Sequence, residues 1–172
     1  NTEMYEALAA AIAGVKTSPQ ILSVVIAGVP GAFSAGNDME EFRAAAESGE
    51  GLSDSVIRFL YAIASCERPI VAAVHGLAVG VGSTMLLHCD YVVASRESRF
   101  VTPFAQLALI PEAASTLLAP RLMGQRRAFA LLVMGEPMDA EAAKAAGIVN
   151  VIADGGDVER LALEAARRIA KL

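Results

Sequence analysis

Twice along the chain a short β-branched run gives way to a glycine-rich turn, and this repetition restricts the fold more than any other feature. Val24-Val25-Ile26 leads to Gly31-Ala32-Phe33-Ser34-Ala35-Gly36-Asn37-Asp38, and Ile70-Val71-Ala72-Ala73-Val74 leads to Gly76-Leu77-Ala78-Val79-Gly80-Val81-Gly82-Ser83. Apolar runs without polar alternation mark strands covered on both faces. Glycine turns at the carboxyl ends of such strands leave backbone N–H groups free, where open α/β sheets gather their ligands. Two such turns aimed at one point are suited to an oxyanion.

The rest of the chain alternates between strand and helix patterns. Met4, Leu8, Ile12 and Val15 recur at helical spacing behind Thr2, a candidate N-cap, and predict a helix from Glu3 to Val15 that ends at Ser18-Pro19. A strand is expected over Ile21 to Ala27, a helix over Met39 to Glu47, and a surface loop over Ser48 to Gly51. Ser53 caps a predicted helix that runs to Ser65, and Ile70 to Val74 forms the second strand. A helix over Gly82 to His88 and strands over Tyr91 to Ala94 and Phe100 to Thr102 follow. Helices are expected over Ala113 to Met123, Gln125 to Met134 and Ala140 to Ala146, then a strand over Ile148 to Ala153. Val158, Leu161, Ala165 and Ile169 give a final amphipathic helix. This order predicts an α/β fold of parallel units with right-handed crossovers. No segment repeats at a fixed period.

At 172 residues the chain fits one domain, residues 1–172, large enough to bury a core without disulfides or metals. With 55% hydrophobic residues, no Trp, three Tyr and six Phe, that core is built from small aliphatic side chains. No apolar stretch reaches the roughly 20 residues that span a bilayer, so no membrane partner is expected. The net charge of −5 argues against a nucleic-acid footprint. Cys66 and Cys89 belong to no C-x-x-C or Cys/His cluster, which favours a reduced, cytoplasmic setting. No targeting peptide is visible in the stretch that begins at Asn1.

Several chemistries fail on the residues. Gly31 and Gly36 are followed by Asn37-Asp38 instead of Lys-Ser/Thr, so this is no P-loop. Gly80-Val81-Gly82 lacks the third glycine and the later acidic residue of a dinucleotide site. Ser83 lacks the second flanking glycine of a nucleophile elbow. His75 and His88 show no metal-binding spacing and read as buried, hydrogen-bonded histidines.

Ala32-Phe33-Ser34-Ala35-Gly36-Asn37-Asp38-Met39, His75-Gly76-Leu77-Ala78-Val79-Gly80-Val81-Gly82 and Cys89-Asp90 together resemble the crotonase superfamily, the enoyl-CoA hydratase/isomerase family. The resemblance continues through Thr102-Pro103-Phe104, Ile110-Pro111-Glu112 and the stretch from Gly135-Glu136-Pro137 to Gly147-Ile148-Val149, and covers nearly the whole chain. It implies a crotonase (ClpP-like) ββα-superhelix core. It also implies an acyl-CoA thioester substrate, no metal or redox cofactor, and a homotrimer or hexamer. Members of the family carry a β-hairpin before the first helix and a helical segment after the last, and the chain as given shows neither.

By the same resemblance the backbone N–H groups of Asn37 and Val81 form an oxyanion hole for the thioester enolate, and Ala35, Gly36, Asn37, Asp38 and Met39, with Gly80 and Val81, line the substrate path. Asp38 also reads as the N-cap of the following helix, and Arg43 as a solvated charge first, with a contact to a phosphate as the alternative. The hydratases carry two glutamates; the positions that correspond here are Thr84 and Phe104, which do no acid–base work. Glu112, just after Ile110-Pro111, stands where Δ3,Δ2-enoyl-CoA isomerases have their single proton-shuttling glutamate. Its expected neighbours, Leu109, Ile110, Leu117 and Leu118, would raise its pKa by desolvation. Read without the resemblance, Glu112 is an N-terminal charge on the next helix. A divergent hydratase, another enolate-forming member, or a non-catalytic acyl-CoA-binding protein is the alternative.

Overall fold

The computed structural model describes residues 1–29, 31–38, 40 and 53–171. The predicted helix over Met39 to Glu47, the loop after it, Met39 itself and Arg43 lie outside the described residues. The chain divides into two compact units, one of Asn1–Leu22 and Asn37–Arg68, the other of Ser23–Gly36 and Pro69–Leu172.

The first unit contains helices α1 (Thr2–Val15) and α2 (Asp54–Ala64). Helix α1 buries Tyr5, Ala9, Ile12 and Val15. Of the expected stripe Ile12 and Val15 point inward, whereas Met4 is 63% exposed and Leu8 only partly buried, so the inner face is turned by one residue in the first half of the helix. Its N-cap is Asn1, whose Oδ1 accepts the Met4 N–H at 3.0 Å, and not Thr2, which is already helical. Helix α2 buries Val56, Phe59 and Ile63. Its N-cap Ser53 leaves the backbone uncapped and bonds the Ser55 hydroxyl instead. The Tyr5 and Phe59 rings meet at 5.5 Å between centroids, a tilted aromatic pair that joins the two helices.

The second unit holds two sheets. One runs β1 (Val24–Ala27), β3 (Ile70–Val74), β5 (Tyr91–Ser95), β8 (Val151–Ala153), in that spatial order and all parallel. The other runs β2 (Ala32–Ser34), β4 (Leu77–Val79), β6 (Arg99–Val101), β7 (Met138–Asp139), with only the β6–β7 pair antiparallel. Each odd strand up to β5 feeds one sheet and its successor the other. The stretches read from sequence as glycine turns are therefore turn, strand, turn: Gly31 and Gly36 bracket β2, and Gly76 and Gly80 bracket β4. Three-residue strands are too short to show a period, which is why sequence pattern reads them as loop.

Strand β3 is buried along its whole length, and its side chains alternate between two cores. Val71 and Ala73 pack with Val93 against Val158, Ala162, Ala165 and Ala166 of helix α7 (Val158–Ile169). Ala72 and Val74 pack with Ala78, Phe100 and Leu131 on the side of the second sheet. Full burial of Phe100 is worth about 1.5–3 kcal/mol over leaving it exposed. Strand β1 starts at Val24 and stays half-exposed, because it is the edge of its sheet. At the other edge, Ile148 and Val149 fall outside β8; their N–H groups both turn back to the Ala143 carbonyl.

The remaining helices are more broken than periodicity suggests. Helix α3 covers only Val81–Thr84 before a 3₁₀ turn takes over from Met85 to His88. Helix α4 starts at Ser115, not Ala113, and runs to Met123. Helix α5 (Gln125–Phe129) opens into a π-helix at Ala130–Met134, where the buried Thr102 hydroxyl donates to the Leu131 carbonyl at 2.5 Å. Helix α6 (Ala140–Ala145) is capped by Asp139. No helix among the described residues is long and apolar enough to cross a membrane.

Candidate active site

The second glycine segment builds one end of a helix out of backbone alone. Gly76, at φ 71°, ends the link from β3, and a side chain there would run into the Gly31 carbonyl. His75 beside it is half-buried and accepts the Gly31 N–H through Nδ1 at 2.7 Å, tying the two glycine segments together. After β4, Gly80 takes φ 56° and ψ −118°, a region open to glycine and closed to other residues. Its N–H donates to Val101 at 2.8 Å, while its carbonyl receives the N–H groups of Ser83 and Thr84 at 2.9 and 3.0 Å. The N–H groups of Val81 and Gly82 thus open α3 with no carbonyl of that helix behind them. Val81 itself is buried. Gly82 is needed for space, since its added Cβ would sit 2.6 Å from that of Ser34. Ser83 is no nucleophile: its hydroxyl donates to Ala78 at 2.6 Å and accepts the Val101 N–H at 3.2 Å.

Glu112 is brought to that same helix. The Thr84 hydroxyl, in the last position of α3, donates to Glu112 Oε1 at 2.5 Å. Oε2 is shielded from solvent and has no hydrogen-bond partner among the described residues. Burial pushes the Glu112 carboxyl above its ordinary pKa, and the Thr84 hydrogen bond opposes part of that rise by favouring the charged form. The expected leucine shell does not account for this burial. Ile110 is 86% exposed and Leu117 51% exposed, so these two face water.

Nor is Glu112 a first-turn helix charge, since α4 begins three residues later. Between them Ala113 and Ala114 adopt left-handed φ values of 56° and 51°. For a residue with a Cβ each costs on the order of 1–2 kcal/mol. Neighbours hold the turn in place. His88 Nε2 donates to the Ala113 carbonyl at 2.8 Å, and Ser115 gives both its hydroxyl (2.5 Å) and its N–H (3.0 Å) to the Glu112 carbonyl. Because a carbonyl only accepts, the His88 tautomer carries its proton on Nε2.

The first glycine segment supplies Ala35 and Gly36 in the second unit. Gly36 has φ 88°, gives its N–H to the Ser34 hydroxyl at 3.2 Å, and lies so close to β4 that an added Cβ would stand 3.1 Å from the Val79 carbonyl. Asn37 and Asp38 belong to the first unit. There the Tyr5 hydroxyl donates to Asn37 Oδ1, and Asp38 Oδ1 accepts the Glu40 N–H at 3.0 Å, as a helix cap does. Of the sequence-derived set, Gly80, Val81 and Glu112 are therefore joined through α3, while Asn37 and Asp38 are placed in the other unit. Sequence reasoning passed over Thr84, His88 and Tyr5 as partners of site residues. Only the pattern of glycines four residues before Thr84 hinted that it follows a special turn. Phe104 is a buried member of the core and carries no acid–base group.

The sequence profile of the family described as Enoyl-CoA hydratase/isomerase matches residues 1–172. The chain belongs to the enoyl-CoA hydratase/isomerase family. Among its relatives, 1,2-epoxyphenylacetyl-CoA isomerase of Escherichia coli K12 is 33% identical, over 99% of this chain and 67% of its own length. The peroxisomal enoyl-CoA delta isomerase 3 of Mus musculus is 32% identical over 87% of this chain and 48% of its own. The crystal structure of an enoyl-CoA hydratase/isomerase from Pseudoalteromonas atlantica T6c superposes with a TM-score of 0.92 at 43% identity, covering 100% of this chain and 67% of that one. The chain thus spans about half to two thirds of the length of these relatives. The paired sheets and strand–strand–helix order are those of the crotonase fold expected for an enoyl-CoA hydratase/isomerase family member.

Proposed function

We propose that the protein isomerises 3-enoyl-CoA to trans-2-enoyl-CoA, with Glu112 carrying one proton between two carbons of the acyl chain. The observation that carries this reading is the Glu112 carboxyl itself: Oε2 is buried with no hydrogen-bond partner among the described residues, and Oε1 is held by Thr84, which has no carboxylate to activate a water. Hydration by the two-carboxylate route needs a second acid where Thr84 stands. An isomerisation needs one.

In this reading Glu112 Oε2 removes the α-proton, and the C–H electron pair delocalises onto the thioester oxygen as a dienolate. The backbone N–H of Val81 receives that charge, together with the N–H of Asn37 that the family resemblance assigns to the same role. A donor of this kind is worth about 2.7–4 kcal/mol of barrier. Glu112 then returns the proton to the γ-carbon, the double bond moves into conjugation, and the carboxylate is regenerated. Ala35, Gly36, Asp38 and Met39 line the substrate path in this reading, with Gly80. It involves no metal or redox cofactor, and the working form is a homotrimer or hexamer.

Incubation of the purified protein with 3-enoyl-CoA and, separately, with crotonyl-CoA tests the assignment, followed by the same assays on Glu112→Gln. Conversion of the 3-enoyl substrate that disappears in the variant is expected. Since the carboxylate is the working base and burial raises its pKa, kcat/KM rises with pH through a limb above the ordinary carboxylate range. Isomerase activity that survives Glu112→Gln overturns the role of Glu112. Addition of water to crotonyl-CoA as the main activity replaces the isomerase with a hydratase, and thioester binding without turnover replaces it with a binding protein.

A further inference from the structure

The two carboxyl oxygens of Glu112 have different surroundings. Oε1 accepts the Thr84 hydroxyl at 2.5 Å, the length of an O–H donor on a charged acceptor. Oε2 has neither solvent nor a donor among the described residues. A hydroxyl has one proton to give. Thr84's other neighbour, the Gly80 carbonyl at 3.4 Å, is already occupied by two backbone N–H groups, so the proton goes to Glu112. Behind the carboxyl, the left-handed turn at Ala113 and Ala114 is fixed by His88 and Ser115, which leaves the side chain to be set by its contact with Thr84.

We infer that Thr84 is a positioning residue that makes Glu112 a one-oxygen proton carrier, tying down Oε1 so that Oε2 alone exchanges a proton with the carbon acid. The inference rests on the proton shuttle proposed above and concerns how the proton is kept. Oε2 forms a bond to the departing α-proton while the C–H pair enters the dienolate. On return that O–H bond breaks, its electron pair stays on Oε2, and the proton joins the γ-carbon. Thr84 keeps its own proton throughout, so nothing else is consumed. Because Oε2 is shielded from solvent, the proton it delivers is the one it removed, and transfer is intramolecular. A carboxyl free to turn would expose its proton to exchange.

The test is turnover of 3-enoyl-CoA in D₂O by the wild-type protein, Thr84→Val, Thr84→Ser and Glu112→Gln, with a pH profile for each active form. Wild type retains most of the substrate-derived proton at the γ-carbon. Thr84→Val keeps the shape and removes the hydroxyl. Its kcat falls roughly ten- to a hundredfold with KM within about twofold, the scale expected of a misplaced catalytic group. Its product gains deuterium, and the acid limb moves to higher pH, because the lost hydrogen bond favoured the charged carboxylate. Thr84→Ser restores all three. Should Thr84→Val fail to fold, Thr84→Ala removes the hydroxyl without bulk and is read in the same way. Unchanged label retention and an unmoved limb in Thr84→Val, with Glu112→Gln inactive, overturn the role of Thr84 and leave the shuttle standing. A rate loss that serine does not rescue overturns it equally. Activity in Glu112→Gln removes the shuttle and this inference with it.

Discussion

The glycine segment that ends at Val81 and the turn that follows Glu112 solve the same backbone problem by opposite means. Each reverses the chain through positive φ and delivers it into a helix, α3 in one case and α4 in the other. The first uses glycine at both positive-φ positions, Gly76 and Gly80, and carries no conformational strain. The second uses Ala113 and Ala114, accepts the strain, and depends on His88 and Ser115 to hold it. A corner that offers only backbone N–H groups can be built from the chain alone. A corner that must aim a side chain is held by added side-chain contacts, one from the adjacent Ser115 and one from His88, which is distant in sequence.

Breaking the glycine corner has the largest expected effect. In Gly76→Ala the new Cβ would lie 2.0 Å from the Gly31 carbonyl oxygen and 2.4 Å from its carbon, at a φ that already disfavours it. Backbone cannot yield there, so a loss of more than about 4 kcal/mol is expected. Urea unfolding of the purified variant, or its failure to accumulate as soluble protein, checks this; a loss under about 1 kcal/mol would show that the two glycine segments are not locked together. The corner at Glu112 breaks less severely. His88→Leu leaves the buried Ala113 carbonyl without its donor, which costs about 1–3 kcal/mol. Because His88 touches the backbone and not the carboxyl, kcat falls while the acid limb of the pH profile stays where it is. A shifted limb would mean that His88 acts on the carboxyl directly.

The same contrast explains what could be read from sequence. Strands β1, β3 and β5 follow from apolar runs and helices α1, α2 and α7 from 3.6-residue stripes, although pattern fixes the existence of these helices better than their buried face: Met4 of α1 and Ile57 of α2 are exposed. Strands β2 and β4 were invisible as strands, because three residues between glycines carry no period and owe their state to pairing with each other. The π-helix at Ala130–Met134 reflects a hydroxyl contact from Thr102, far away in the chain. At the site, the glycines pointed to free backbone N–H groups, and those of Val81 and Gly82 open α3, while the Gly80 N–H is taken by Val101. Glu112 was found through family resemblance and not through its surroundings; its pKa is raised by burial as expected, but of the four neighbours predicted to bury it Ile110 and Leu117 face solvent. Thr84, His88 and Tyr5 were missed as partners because each acts through a contact between residues well separated in sequence.

The smallest effect sharpens the comparison most. Ala114 is exposed, so Ala114→Gly removes the left-handed penalty of about 1–2 kcal/mol and adds only about 0.4–1 kcal/mol of unfolded-state freedom. A net gain of about 0.5–1 kcal/mol is expected, visible as a rise in Tm of about 2 °C for a chain of this size. Ala113 gives no such gain, because its methyl is buried at 8% exposure and its loss offsets the relief. If the strain is what aims Glu112, the more stable Ala114→Gly also turns over more slowly, by about two- to threefold, since a glycine lets the turn sample other directions. A lower Tm would show that the turn is not strained, and the contrast between the two corners would fail. A higher Tm with an unchanged kcat would show that His88 and Ser115 alone fix the carboxyl, and that the two alanines are tolerated and not used.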